Sequence, residues 1–543
     1  MAEAIALPTS GPVHGSHSTW RTALLWAGVG VCVAIAAVMI AGAQRTGGRL
    51  VYTLDDAYIH MSIARNLASG HGWGVNPGEF AGASSSPLWT LLIAGCFRLF
   101  GPRETVPLVL SSLSMVGAIA GLWGVLARFV RDRRLLALAC FAIAMALPLP
   151  MLVISGMEHT LQIALVFGFV LFWLDALEGL ACARRLAGGA LLAALLIGTR
   201  YEGLFLIFPA CVLLLLRGRW RPAVLWGACA WVPVGLYAAY SLRHGGAAFP
   251  NSVLLKGSAP GSPSMMGVLG FVADGLRRVL VAGPLAELAL AGAAMLAWLW
   301  RSRDTQAPGP RYLLGLFLLT ALLHGQFAAV GWFSRYEAYL IGLGAVALCA
   351  VVAGAWRDER PNRVGAWVVT AAACIAAVPL AGRAAVTLYR DCLAPGNIYQ
   401  QQCQTAFFVR DHYAGRAVAV NDIGAVSWYG GAHVVDLWGL ADREVFRARR
   451  EGRYTPAVMR QACDEAGAPV AIVYPDWFTG FGGLPREWKR VGDWTIPHNV
   501  AAAEATVVVY STAPADASRA ARAFADFSRT LPPGMRGKVG EER

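Results

Sequence analysis

The sequence predicts a polytopic α-helical membrane protein of about 11 transmembrane helices with a small α/β domain at its C-terminus. Of its 543 residues, 57% are hydrophobic and only 15% are charged, whereas soluble domains carry about 25% charged residues. The apolar residues occur in blocks of roughly 20, long enough to cross a hydrocarbon core ~30 Å thick. After about residue 387 the chain becomes richer in charge, and short apolar runs alternate with helical stretches.

The apolar blocks place the transmembrane spans. The first is too long for a signal-peptide core and has no clear cleavage site after it, so we expect it to be retained. The segment 87–101 is short and contains Arg98, and we expect an interfacial or partly inserted helix there. The predicted spans are 22–43, 105–127, 135–154, 160–178, 186–199, 203–216, 222–241, 279–300, 312–331, 337–356 and 364–386.

Arginine clusters between these spans predict the topology, because cytoplasmic loops are rich in Arg and Lys. The same clusters account for the net charge of +13, so we expect membrane lipids and no nucleic acid as partners. The sequence therefore predicts a protein of the inner (plasma) membrane with residues 1–21 in the cytoplasm. Loop 44–104 and everything after 386 would be extracytoplasmic. The clusters lie at 128–134, 184–185, 217–221, 301–311 and 357–363.

The chain thus divides into a cytoplasmic segment (1–21), a transmembrane domain (22–386), an extracytoplasmic α/β domain (387–530) and a disordered tail (531–543). Strands are predicted at 417–420, 470–474 and 506–510. The segment 421–424 follows the first of these, and we expect Asp422 to form a turn or a helix cap there. The domain contains three cysteines, and Cys392–Cys403 is a possible disulfide in an oxidising compartment, with the pairing left open: Cys392, Cys403 and Cys463.

Polar residues that are costly at the ends of apolar helices gather in five predicted outer loops. Such a set predicts a polar cleft at the outer membrane face, and the alternative is a set of ordinary interfacial residues that snorkel to water. Loop by loop they are Asp55, Asp56, Tyr58, His60, Trp73 and Asn76; Glu158 and His159; Arg200, Tyr201 and Glu202; Asn251 and Lys256; and Arg335 and Tyr336.

The loop motifs resemble those of the GT-C glycosyltransferases, in particular arabinofuranosyltransferases of the mycobacterial AftB type and related bacterial membrane proteins. They are DDAYI (55–59), GHGWGVNPGE (70–79), SSPLW (85–89), SGMEH (155–159), TRYEG (199–203), PNSVLLK (250–256), SRYE (334–337), NDIGAVSWYG (421–430) and VVDLWGLAD (434–442). The resemblance implies a GT-C fold and inverting transfer from a polyprenyl-phosphate-linked sugar to a cell-envelope glycan, lipid or protein. Arabinofuranose is one candidate sugar, and nothing in the sequence selects it.

Such a transfer needs a general base for the acceptor hydroxyl, and Asp55 or Asp56 corresponds to it. The other carboxylate would orient the base or cap the helix that follows. The leaving phosphate needs cations, for which Arg200 and Arg335 are first candidates and Lys256 and His159 second. The alternative for each arginine is an ion pair with a neighbouring carboxylate, Glu202 or Glu337.

The remaining loop residues are candidates for contacts with the sugar or the acceptor, and we expect the α/β domain to shape the acceptor side of the cleft or to bind glycan. For the aromatic members, an interfacial-belt role is the alternative. A divalent cation held by Asp55, Asp56 and Glu158 is possible but not required, and no Gly-rich nucleotide-binding loop occurs in the α/β domain. The candidate sugar or acceptor contacts are Tyr58, His60, Trp73, Asn76, Glu158, Tyr201, Glu202, Asn251 and Tyr336.

Two other functions share a polar cleft between apolar helices. One is a transporter or flippase of a lipid-linked substrate, although the sequence shows neither an internal repeat nor polar residues on both sides. The other is a polymerase or ligase that takes a whole lipid-linked oligosaccharide.

Overall fold

The computed structural model describes residues 18–180, 182–257, 265–301, 308–356 and 363–540. The first part of the chain is helical throughout, as its apolar composition predicts. Its helices are α1 Ser18–Arg45, α2 Asp56–Ala68, α3 Pro87–Phe100, α4 Thr105–Leu126, α5 Arg133–Ala146, α6 Leu149–Ile154, α7 His159–Leu177, α8 Ala183–Thr199, α9 Leu204–Leu216, α10 Trp220–Arg243, α11 Asn251–Lys256, α12 Met265–Leu280, α13 Pro284–Arg301, α14 Pro308–Phe327, α15 Ala338–Ala355 and α16 Arg363–Ile398.

The helices confirm a multi-pass membrane protein. Within the described residues, six helices are long and apolar enough to cross a bilayer, or seven if the bent pair α12–α13 counts as one span. The predicted number of 11 spans stays a prediction, because several apolar helices are shorter than this requirement. The six are Gly28–Arg45, Thr105–Leu126, His159–Leu177, Trp220–Arg243, Ala338–Ala355 and Arg363–Tyr413.

Two predicted spans are broken helices. The segment 135–154 is divided into α5 and α6 around Pro148, because proline lacks the N–H that would continue the helix. The segment 279–300 is part of a pair, α12 and α13, whose axes are bent by 100°. The predicted short helix at 87–101 is α3, which is apolar and has 14 residues, about 21 Å long at the usual rise and so too short for the core.

The last membrane helix continues into the C-terminal domain. Residues 363–413 form one helical stretch, with a π-helical turn at Tyr399–Cys403 between α16 and α17 (Gln404–Tyr413). The proposed Cys392–Cys403 disulfide is wrong: both thiols are free. Eleven residues of helix separate their Cα atoms by about 16 Å, whereas a disulfide allows about 7 Å at most.

The C-terminal domain is a six-stranded sheet in the order β2-β1-β3-β5-β4-β6. β2, β1 and β3 are parallel, whereas β5, β4 and β6 are antiparallel to their neighbours. The strand-like runs at 417–420, 470–474 and 506–510 are confirmed as β1, β3 and β5. The elements are β1 Ala417–Val420, α18 Gly424–Tyr429, β2 His433–Asp436, α19 Arg443–Arg450, α20 Pro456–Ala466, β3 Val470–Val473, β4 Lys489–Thr495, β5 Thr506–Ser511, α21 Ala517–Ser528 and β6 Arg536–Val539.

The prediction that 531–543 is disordered is wrong for residues 536–539. These residues form β6, which pairs antiparallel with β4 from Gly492↔Val539 to Thr495↔Arg536. The β6 side chains are exposed, which explains their polar composition. The strand is fixed by backbone hydrogen bonds, which a composition argument does not detect.

The α/β domain packs directly on the loop between α1 and α4. Arg65 of α2 donates hydrogen bonds to the carbonyls of Ser427 (2.8 Å) and Trp428 (2.9 Å) of α18. The Ser427 hydroxyl donates to Ser62 at 2.8 Å. In the same loop, Asn76 exchanges hydrogen bonds of 2.9 and 3.0 Å with the backbone of Val434 in β2. These contacts hold the α/β domain against α2 and the loop that follows it.

Candidate functional site

Two cavities meet at the start of α2. The membrane-side cavity, of about 270 Å³, lies among the ends of the membrane helices and is lined by residues including Arg200, Tyr201, Glu202, Phe205, Phe249, Ser252 and Phe327. The sheet-side cavity, of about 230 Å³, lies against the α/β domain and is lined by residues including Asp55, Gln402, Asn421, Asp422, Trp438 and Trp477. Four residues line both cavities: Asp56, Lys256, Arg335 and Tyr336.

Three cations surround the ring of Tyr336. The distances to its ring centroid are 5.0 Å from the Arg335 guanidinium carbon, 5.8 Å from that of Arg200 and 5.9 Å from Lys256 Nζ. These cations come from three of the predicted outer loops: Arg200 follows α8, Lys256 ends α11 and Arg335 precedes α15. An aromatic face so placed attracts cations and keeps this cluster of positive charge compact.

Arg200 is buried, and its charge is balanced by two carboxylates. Its guanidinium donates to Glu158 at 2.6 Å and to Glu202 at 2.5 Å. It also lies 3.2 Å from His159 Nε2, which must accept because arginine only donates. His159 is therefore uncharged in this arrangement and lines neither cavity, and its role as a phosphate contact stays a prediction.

Arg335 pairs with Asp56, not with the neighbouring glutamate. Its NH2 group donates to Asp56 Oδ2 at 2.5 Å, while Glu337 pairs with Arg383 at 3.0 Å. Burial alone would raise the pKa of Asp56, but the charges of Arg335 and Lys256 outweigh it and hold that pKa well below its usual range. Asp56 is therefore ionised at physiological pH.

Asp55 points away from α2 toward the α/β domain. Its two carboxylate oxygens accept hydrogen bonds from the backbone N–H groups of Gly424 (2.6 Å) and Ala425 (2.7 Å) at the start of α18. It makes no capping hydrogen bond to α2, so the predicted cap exists on another helix. A Cβ atom at position 424 would lie 2.1 Å from the Asp55 carbonyl oxygen, and only glycine permits this approach.

Lys256 is the least compensated cation of the cluster. Its ammonium group is exposed, and among the ion pairs of the described residues none includes it, whereas Arg200 and Arg335 each have a carboxylate partner. Several buried polar atoms around the membrane-side cavity also lack a hydrogen-bond partner, namely Nε of Arg200, Nε of Arg335 and Oγ of Ser252. A polar ligand with several acceptor oxygens would satisfy these donors.

The other predicted contacts fall into three groups. Tyr201 and Glu202 line the membrane-side cavity, whereas His60 and Glu158 lie behind it, with His60 Nε2 at 3.7 Å from Glu158 Oε2. Four side chains lie outside both cavities and support the fold. Tyr58 accepts from the Tyr52 N–H, Trp73 packs against Tyr237 and Tyr240, and Asn76 and Asn251 bind backbone atoms of the α/β domain.

The three carboxylates that the sequence offers as metal ligands do not converge. Asp55 binds the start of α18, Asp56 binds Arg335 and Glu158 binds Arg200. In the described part of the chain, no group of three or more His, Cys, Asp or Glu side chains is placed to hold a metal ion.

The α/β domain contributes to the site through residues that the sequence analysis did not name as site residues. Asp422 faces the sheet-side cavity and accepts from Gln402 at 2.9 Å, so it is neither a turn nor a cap residue as predicted. Trp438 and Trp477 line the same cavity from two other loops. The signal available in the sequence was the position of Asn421 and Asp422 immediately after the predicted strand 417–420.

Comparisons with known proteins agree with this architecture. Residues 396–510 match a family described as a domain of unknown function (DUF8728). A stretch of 219 residues is 28% identical to the terminal beta-(1->2)-arabinofuranosyltransferase of Mycobacterium tuberculosis. That match covers 38% of this chain and 35% of the relative, so the chain spans about a third of the length of the curated relative it matches.

The fold is also similar to that of a solved membrane protein. ArnT from Cupriavidus metallidurans bound to undecaprenyl phosphate superposes with a TM-score of 0.51 at 14% identity, over 92% of this chain and 99% of ArnT. Its apo state gives a TM-score of 0.51 at 13% identity, over 91% and 99%. Both the sequence match and the structural match fall on proteins of the kind that the loop motifs indicate. The chain therefore shares the fold of ArnT, and over part of its length it is similar in sequence to an arabinofuranosyltransferase.

Proposed function

We propose that this protein is an inverting glycosyltransferase that moves a sugar from a polyprenyl-phosphate donor to a cell-envelope acceptor. The observation that carries the proposal is the shared wall of the two cavities, where an ionised carboxylate, Asp56, stands beside Arg335 and Lys256. One cavity would hold the donor and the other the acceptor. The relatives support this class of reaction: one is an arabinofuranosyltransferase, and ArnT has been solved with undecaprenyl phosphate.

The membrane-side cavity suits the donor because its wall changes from cationic to apolar. Lys256 and Arg335 stand at the shared wall, and Phe205, Phe249 and Phe327 line the rest of the cavity. A lipid phosphate needs cations for its oxygens and apolar contacts for its first isoprenoid units. The developing charge on the leaving phosphate would be stabilised by the same cations.

Asp56 is the better placed of the two adjacent aspartates to act as general base. It faces both cavities, whereas both oxygens of Asp55 are engaged by α18. In the reaction, Asp56 takes the proton of the acceptor hydroxyl and the acceptor oxygen forms a bond to the anomeric carbon. The bond from that carbon to the phosphate oxygen breaks on the opposite face, and the phosphate leaves as an anion. A single displacement of this kind inverts the anomeric centre and needs one carboxylate.

Along the sequence, the arginine clusters and the loops that line the cavities alternate between the apolar segments, so they fall at opposite ends of the membrane helices. Together with the positive-inside rule, this supports an N-terminus in the cytoplasm and an α/β domain outside the inner membrane. The acceptor would then be a glycan, lipid or protein of the cell envelope.

The test is transfer by the purified full-length protein from a panel of radiolabelled polyprenyl-phosphate sugars, with the arabinofuranosyl donor included, to a cell-envelope fraction. Asp56→Asn keeps the shape of the side chain but is not basic, and we expect it to lose about 100-fold or more in rate. Asp493→Asn, in β4 and outside both cavities, is the matched control and should retain wild-type activity.

The outcomes separate the alternatives. Transfer of one sugar by the wild type, with an inactive but folded Asp56→Asn variant, supports the reaction and the base together. If no donor is used and Asp56→Asn still complements a deletion strain, the transferase proposal is wrong and transport of a lipid-linked substrate becomes the leading alternative.

A further inference from the structure

We propose that the sheet-side cavity is a binding subsite for a neutral sugar residue of the acceptor. The indoles of Trp438 and Trp477 would contact the sugar on one side, and the amides of Gln402 and Asn421 on the other. The inference rests on the proposed transferase function and specifies its acceptor as a carbohydrate. It is carried by the position of the cavity in the sheet, by unsatisfied polar atoms, and by the arrangement of aromatic rings.

The cavity lies where ligands bind in parallel sheets. Asn421 and Asp422 directly follow β1, Trp438 follows β2, and Trp477 follows β3, so the lining residues come from the carboxyl ends of three parallel strands. The connection after β1 leads to β2 on one side, and the next connection leads to β3 on the other side. This reversal of strand order creates a crevice at the carboxyl edge, the usual ligand position in open α/β sheets.

Two buried amide atoms in the lining have no partner. Gln402 Oε1 accepts no hydrogen bond and Asn421 Nδ2 donates none, although these residues are only 4% and 3% exposed. Their other amide atoms are held in place, since Gln402 Nε2 donates to Asp422 at 2.9 Å and Asn421 Oδ1 accepts from the Tyr474 N–H at 3.0 Å. One free acceptor and one free donor match a hydroxyl group, which donates and accepts at once.

The aromatic side of the cavity is preorganised. Trp438 and Trp477 are half-buried, with ring centroids 4.6 Å apart and planes inclined by 55°. Arg449 fixes Trp438, because its guanidinium lies 3.8 Å from the indole centroid and donates to the Trp438 carbonyl at 2.6 Å. Rigid aromatic rings beside fixed amides suit a sugar, which has apolar C–H faces and a polar rim.

The charges of the lining favour a neutral ligand. Asp55, Asp56 and Asp422 contribute carboxyl groups to this cavity. The N–H groups of Gly424 and Ala425, which would otherwise be available to an anion, are already bound by Asp55. A phosphorylated or carboxylated acceptor unit would therefore meet carboxyl groups here, because the two cations of the lining, Arg335 and Lys256, stand at the shared wall beside Asp56.

The test is saturation-transfer NMR on the full-length protein in detergent micelles, a direct measure of sugar binding that does not depend on turnover. The probes are neutral methyl oligoarabinofuranosides and methyl oligomannosides, with a 5-phosphorylated arabinofuranoside as the anionic comparison. We expect binding of a neutral probe to wild type and at least tenfold weaker binding to Trp477→Ala and to Asn421→Asp, as about 1.4 kcal/mol of lost contact implies. Asn421→Asp keeps the shape and the acceptor atom but lacks the donor.

Trp428→Ala is the matched control, because Trp428 packs at the same domain interface, stacked on Phe97, but outside the cavity. The proposal is overturned if no neutral probe binds to wild type, if Trp428→Ala weakens binding as much as Trp477→Ala, or if the phosphorylated probe binds more tightly. Sugar binding without transfer from any donor would disprove the proposed function and leave the subsite standing. Transfer activity with an acceptor KM that is the same in wild type, Trp477→Ala and Asn421→Asp would support the proposed function and disprove the subsite.

Discussion

At the scale of single residues, Asp55 and Asp56 show how adjacent identical side chains acquire different roles. Successive side chains point in different directions from any backbone, so one carboxylate faces Arg335 and the other faces α18. The pair is evident in the sequence. The different roles of its two members depend on Arg335 and Gly424, which lie about 280 and 370 residues away along the chain.

Lys256 provides a prediction for the donor phosphate. Because it is the exposed cation of the cluster, Lys256→Ala should raise the KM for the polyprenyl-phosphate donor by about tenfold, the effect of losing one charge-assisted contact of about 1.5 kcal/mol. Lys256→Arg keeps the charge and should recover most of the affinity. The measurement is initial-rate kinetics with varied donor and saturating acceptor.

Lys538→Ala, in the exposed strand β6, removes a lysine far from both cavities and should leave the donor KM unchanged. A donor KM that is equal in wild type and Lys256→Ala would show that the phosphate binds elsewhere.

At the scale of elements, α18 is tied to α2 by a cap that comes from another part of the chain. Asp55→Asn replaces one of the two accepting oxygens with a donor facing a backbone N–H. We expect the loss to destabilise the protein by about 1–2 kcal/mol, as for other lost caps, and to reduce transfer because Asp56 is the next residue. Thermal unfolding and transfer rate are measured on the same preparation.

Asp442→Asn is the matched control, since Asp442 caps α19 in the same way with hydrogen bonds of 2.9 Å to Glu444 N and Val445 N. It should lower the melting temperature similarly but retain transfer activity. Equal losses of activity in the two variants would mean that the domain as a whole is affected and that the α2–α18 contact has no special role.

At the scale of the whole molecule, the contact between the membrane part and the α/β domain should depend on pH. Burial, and then the neighbouring Asp422 carboxylate, raise the pKa of Asp55 well above its ordinary 3.8, and burial raises that of Asp422. The folded protein therefore binds more protons than the unfolded chain. Its stability should fall as the pH rises above 3.8 and through the raised pKa values.

Asp422→Asn removes the charge that opposes Asp55, so it should flatten the decline of the melting temperature as the pH rises above 3.8. The measurement is thermal unfolding of wild type and variant across that range in the same detergent. A wild-type melting temperature that rises over this interval, or a variant with the same slope, would contradict the assigned coupling.

The sequence by itself determined the membrane class, the resemblance of the outer loops, and the strands at β1, β3 and β5. These depend on local composition and periodicity, which the bilayer and the sheet impose on any chain. It did not reveal β4, in which the buried Val491 and Trp494 lie among polar residues, or β6, whose side chains are exposed; backbone pairing orders both strands.

Only the tertiary structure decided which predicted residues form the site. It brought Asp56, Lys256, Arg335 and Tyr336 to one wall, and it placed Trp73 and Asn76 in supporting contacts. It also added Asn421 and Asp422 of the α/β domain, which were not among the predicted site residues. Residues far apart in sequence meet through packing, and neither composition nor spacing carries that information.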